Sequence, residues 1–127
     1  MNRTWLKSGS ILAFLGVALG AFGAHALKDK LGENRPIWDT AVHYQLVHAI
    51  ALLFVAVAAT SLPLKVIKLA GTLFTVGVVL FSGSLYVLAL TDIKPLGAIT
   101  PFGGVCFLVG WGALIYSAGK PVTSTEV

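Results

Sequence analysis

The stretch LAGTLFTVGVVLFSGSLYVLALT, residues 69–91, runs for 23 residues without a formally charged side chain. As a helix rising about 1.5 Å per residue it would cover about 35 Å, enough to cross a hydrocarbon core about 30 Å thick. Residues 8–27, 40–64 and 95–119 are uncharged in the same way. Lipid offers no partners for open backbone N–H and C=O groups, so such segments must be helices that satisfy themselves. The expectation is an all-α protein, an integral membrane four-helix bundle with short loops. Residues 1–127 then form a single membrane domain, with spans at about 8–27, 40–62, 69–91 and 97–118 and a disordered polar tail over 120–127.

Composition agrees. Of the 127 residues, 57% are hydrophobic and 11% charged, against roughly 45–50% and 25% in ordinary globular chains. A soluble domain this small has a large surface and needs more charge to cover it. The net charge of +4 does not point to nucleic acid, because the basic residues stand singly at the ends of apolar runs rather than in a stripe interleaved with aromatics. Cys106 lies alone inside an apolar run, where it has no disulfide partner and reads as a small packing residue. Arg3 and Lys7 followed by an apolar run and Ala24-His25-Ala26 also fit a cleaved secretory signal. Three further spans make the retained first helix the preferred reading. The expected location is the cytoplasmic membrane of a bacterium, as a multi-pass protein whose neighbours are lipids. Arg3, Lys7, Lys65, Lys68 and Lys120 fall on the side of the termini, against Lys28, Lys30, Arg35 and Lys94 on the other. The positive-inside rule thus prefers cytoplasmic termini by five to four.

Gly32 suits a left-handed helix end, Pro36 the first turn of the next helix, and Pro63 and Pro95 close the second span and open the fourth. Trp5, Trp38 and Tyr116 lie near span ends, where amphipathic rings favour the headgroup zone. Helices in lipid pack through small residues. The first span offers Gly9, Ala13, Gly16, Gly20 and Ala24, and the fourth Gly103, Cys106, Gly110, Ala113 and Ser117. Gly16 and Gly20, with Gly103 and Gly110, are the candidate helix-packing positions. They serve packing within one bundle first, and a homo-oligomer or another membrane protein second.

Polar side chains are unevenly placed. His25 ends span one; Tyr44, Gln45 and His48 open span two; Ser82, Ser84 and Tyr86 lie late in span three; Thr100 begins span four. Ends of odd spans and starts of even ones share a leaflet, so these residues form one candidate polar cluster near one face. Intramembrane ionisable groups raise a functional hypothesis by default. Structural ties between helices rank first, then a proton or small-solute pathway, then metal or haem ligation. A metal needs three or more converging donors. His43 and His48 are five apart and diverge on a helix, and no HExxH, CxxC or paired acids occur. No catalytic residue, metal ligand or cofactor is assigned, and no enzyme class stands out.

Gly20-Ala-Phe-Gly-Ala-His25, Tyr44-Gln-Leu-Val-His48-Ala, Leu80-Phe-Ser-Gly-Ser-Leu-Tyr86 and Thr100-Pro-Phe-Gly-Gly104, followed by Gly110-Trp111, touch all four spans in order. On these stretches the chain resembles the DUF423 family of small bacterial membrane proteins, related to the transmembrane protein 256 family. The resemblance implies a four-span protein of the cytoplasmic membrane and adds weight to His25, Tyr44, Gln45 and His48 over His43. It implies no reaction, since the family is uncharacterised. The function expected is non-enzymatic support of membrane integrity or of a membrane complex through the buried polar cluster. A small-solute or proton pathway and a metal- or haem-binding protein are the alternatives.

Overall fold

The computed structural model describes residues 1–119. The tail expected over 120–127, with Lys120, lies outside the described residues. Four described helices are long and apolar enough to cross a membrane. They are α1 (Arg3–Ala24), α3 (Arg35–Ala58), α4 (Leu64–Thr91) and α5 (Thr100–Ala118), with a single turn, α2 (Lys28–Leu31), between the first two. Short 3-10 turns at Gly32–Asn34 and Lys94–Ala98 complete the connections on that face. The architecture is the all-α membrane four-helix bundle that the uncharged stretches predict.

Local chemistry sets the helix ends. Asn2 caps α1 by accepting the Trp5 backbone N–H at 3.2 Å, and its own N–H donates to the Ala56 carbonyl at 2.9 Å, tying the N-terminus to the end of α3. Gly32 ends α2 rather than the first long helix, at φ +49°, a conformation that favours glycine. Asp92 closes α4 in the left-handed region with its N–H on the Leu88 carbonyl. Pro36 and Pro101 occupy first turns, where no intrahelical N–H is needed.

The two middle helices form the centre. α3 and α4 pack on each other, α1 packs chiefly on α3, and α5 chiefly on α4. The larger core joins Leu52, Val55, Ile67, Phe74, Val78 and Phe107, and a smaller one at the other end joins Leu31, Trp38 and Ala89. The outer helices bury little of themselves: Phe14 on α1 and Leu108 and Ile115 on α5 are each at least 73% exposed. In water such surface would be a liability; in a bilayer it is the solvated face.

The glycines that make close approaches differ in part from the expected stripes. On α1 the buried positions are Gly9, Gly16 and Gly23, spaced by seven. That is the period of a left-handed helix pair. A Cβ at Gly9 would lie 2.8 Å from the Ala49 carbonyl oxygen, and one at Gly16 2.6 Å from Leu46 Cδ2. Gly20 is looser, 3.3 Å from Val42, whereas Gly23 makes the notch that receives the Trp38 ring. On α5, Gly103 and Gly110 are buried, but Phe107 and Leu114 lie between and beyond them in place of Cys106 and Ala113. Phe107 fills the notch at Gly77 of α4, so the contact is ridge into groove rather than smooth on smooth.

Trp5 and Trp38 also depart from their expected role. Trp5 lies in the notch at Gly71, and Trp38 is 2% exposed. Both rings turn into the bundle because a glycine on the facing helix leaves room for an indole. Tyr116 alone of the three is well exposed.

Candidate functional site: polar ties between the helices

Gln45, on the face of α3 toward α1 and α4, is buried. Its Nε2 donates to the Leu12 carbonyl at 2.9 Å, and its Oε1 accepts the Tyr86 hydroxyl at 2.6 Å. One amide therefore joins α1, α3 and α4. The acceptor on α1 is a helix carbonyl with a spare lone pair. Nearby, Ser82 donates to the Ala41 carbonyl at 2.7 Å. The Trp38 indole donates to Leu19 at 2.8 Å and meets Tyr86 edge-on, with centroids 4.7 Å apart.

Ser84 and Thr100 join α4 to α5 through their hydroxyls, 2.6 Å apart. The Ser84 proton is already committed to the Phe81 carbonyl at 2.9 Å, so Thr100 is the donor. The same logic holds at the other end. Thr75 donates to Gly71, leaving Ser8 to donate to Thr75 across α1 and α4 at 3.3 Å.

His48 has a determined tautomer. The Trp111 indole, which can only donate, reaches His48 Nε2 at 3.0 Å. Nε2 is therefore the acceptor, and the proton resides on Nδ1, which donates to the Tyr44 carbonyl at 2.8 Å. The ring stacks on Phe107 with centroids 3.6 Å apart and planes 9° from parallel, and leans on Phe74. The neutral imidazole has both nitrogens in use, and the residue is 3% exposed.

The predicted cluster thus resolves into three groups. Gln45, Tyr86 and Ser82 gather around α3 and α4; Ser84 pairs with Thr100; His48 pairs with Trp111. Tyr44 contributes its carbonyl, while the residue is 39% exposed and its ring packs on Phe81. His25 is not brought to the cluster. It follows the last residue of α1, where its backbone N–H bonds to Ala21 and Phe22, and its side chain is exposed. The reason is that the helix has ended: His25 has φ −123° and ψ −81°, outside the helical region, so its side chain no longer follows the face of Gly23. His43 is also exposed, and its neighbour one turn earlier, Asp39, pairs with Arg35 at 3.1 Å.

Trp111 and Trp38 are the partners that sequence reading missed. For Trp111 the available signal was an indole N–H well inside an apolar span, a donor that usually takes an acceptor when desolvated; Trp38, at a span end, carried no such signal. Among the described residues no three of His, Cys, Asp and Glu come together as a metal site would require. A groove of about 380 Å³ opens beside Tyr44, His48 and Trp111, walled otherwise by apolar residues of α4 and α5.

Tyr86→Phe tests the central tie with little change of shape. Expected is a loss of about 0.6 kcal/mol, up to about 1.7, in detergent unfolding. The same loss in a Gln45→Leu background would show that the bond is not its source.

The family described as protein of unknown function (DUF423) matches residues 19–104. A UPF0382 membrane protein of Staphylococcus haemolyticus is 46% identical over 119 residues, covering 93% of this chain and 97% of that protein. The UPF0382 membrane protein YwdK of Bacillus subtilis is 46% identical over 120 residues, covering 93% and 98%. No solved structure matches.

Proposed function

This chain belongs to the DUF423 family of membrane proteins, and on that premise we propose that it is a non-enzymatic bundle whose buried polar groups hold its helices together, supporting membrane integrity or a membrane complex. The observation that carries this reading is the full engagement of His48, with Nε2 on the Trp111 indole and Nδ1 on the Tyr44 carbonyl. A proton relay needs a nitrogen able to exchange protons with a neighbour, and a ligand needs a free lone pair. His48 offers neither without breaking a tie. The Gln45 amide and the Ser84–Thr100 pair support the same reading, because each links separate helices. In this reading the termini face the cytoplasm, supported by the five-to-four count of Lys and Arg on their side, Arg3, Lys7, Lys65, Lys68 and Lys120 against Lys28, Lys30, Arg35 and Lys94.

Reconstitution tests the reading. Proteoliposomes carrying the wild-type chain should pass protons no faster than empty vesicles, and His48→Phe, which keeps a stacked ring, should fold with reduced stability. Proton flux in the wild type that His48→Phe abolishes would sink it and favour the pathway alternative.

A further inference from the structure

The two ends of the molecule differ in charge. The face of the loops Lys28–Trp38 and 92–99 carries Lys28, Lys30, Arg35 and Lys94 with Asp29, Glu33, Asp39 and Asp92, and is balanced. The face of the termini carries Arg3, Lys7, Lys65 and Lys68, and no acid among the described residues. At that face a groove of about 710 Å³ runs between α4 and α5. Its lining includes Lys65, exposed in the first turn of α4, with Val66, Leu69, Val109, Gly112 and Ala113.

We infer that this groove binds one anionic phospholipid, with the phosphate on Lys65 and an acyl chain between α4 and α5. The groove runs in the direction an acyl chain takes. Lys65 and Leu69 are one turn apart on α4, and on α5 Gly112 and Ala113 lie three and four residues after Val109 and four and three before Tyr116, so all four share one face. The polar end suits a phosphate. Lys65 lies in the first turn of α4, whose N-terminus has no side-chain cap; the Val66 and Ile67 N–H groups bond the Pro63 carbonyl, while those of Leu64 and Lys65 precede the first intrahelical bonds. Lys68, three residues on, is exposed on the same flank. Gly112 is what leaves the groove open: a Cβ built there meets nothing within 4 Å, so the glycine is not needed for packing inside the bundle. The site shares none of its groove residues with the polar ties, and stands or falls independently of them.

The test uses the full chain in mild detergent, titrated with phosphatidylglycerol or phosphatidylcholine of matched chains. Bound lipid is counted by native mass spectrometry. One lysine near an anionic headgroup predicts about fivefold preference for phosphatidylglycerol. Lys65→Gln should reduce the preference to near unity. Gly112→Phe should empty the groove of either lipid while leaving the thermal midpoint in lipid-free detergent unchanged. Equal binding of the two lipids would overturn the proposal, as would a preference that survives both substitutions. Competition by millimolar inorganic phosphate that releases the whole lipid would make a free anion the ligand. A dimer that Gly112→Phe dissociates without changing lipid binding would make a second copy the occupant. Either result overturns it.

Discussion

Gly103→Val is expected to prevent α4 and α5 from closing, at a cost of about 3 kcal/mol or more. A Cβ on Gly103 would overlap the backbone nitrogen of Phe81 and lie 2.8 Å from its Cα. Backbone cannot rotate aside as a flexible side chain can, so the two helices must separate. Separation would also withdraw Phe107 from the notch at Gly77, whose added Cβ would be 2.5 Å from the ring. It would pull Thr100 from Ser84 as well. Van der Waals contact is a main source of helix association in lipid, so these losses have no hydrophobic compensation. The measurement is unfolding in detergent, with Gly112→Val as the control, since its Cβ meets nothing. Equal melting of the two variants would refute the close-crossing account.

His48→Ala is the second large effect, expected at about 2 to 4 kcal/mol. It removes a ring stacked 3.6 Å from Phe107 and opens a cavity bounded by Phe74 and Trp111. It also strands the Trp111 indole N–H; Trp111 is 37% exposed, but the surface it exposes faces lipid, which offers that donor no acceptor. His48→Phe should fall between Ala and the wild type, because it restores the stacked volume but not the acceptor. Trp111→Phe should in turn cost less in the His48→Phe background than in the wild type, the difference being the coupling of the pair. Equal costs in the two backgrounds would mean that the bond contributes nothing.

The candidate site was partly legible before any coordinates. Depth alone assigned His25, Tyr44, Gln45, His48, Ser82, Ser84, Tyr86 and Thr100 to one leaflet, because the side of each span's ends follows from counting crossings. It could not separate them into three groups, nor tell that α1 ends at Ala24 and leaves the His25 side chain exposed. A shift of two residues in a helix rotates a side chain by about 200°, and the face that turns inward depends on the partner helix. Trp111 escaped notice as the partner of His48 because 63 residues separate them.

What the amino-acid order determined by itself was the medium, the helices and their number. Those rest on free energies that accumulate along the chain: long uncharged stretches, backbone groups that lipid cannot satisfy, and prolines and glycines at the breaks. Which small residues would touch was decided only in the folded bundle. Gly23 and Gly77 matter through the rings of Trp38 and Phe107 that enter their notches, while Gly112, equally small, faces open space. The proton on His48 was settled the same way, by an indole brought from the last helix. Contacts of that kind depend on the rotation and register of two helices at once, a property that neither helix carries alone.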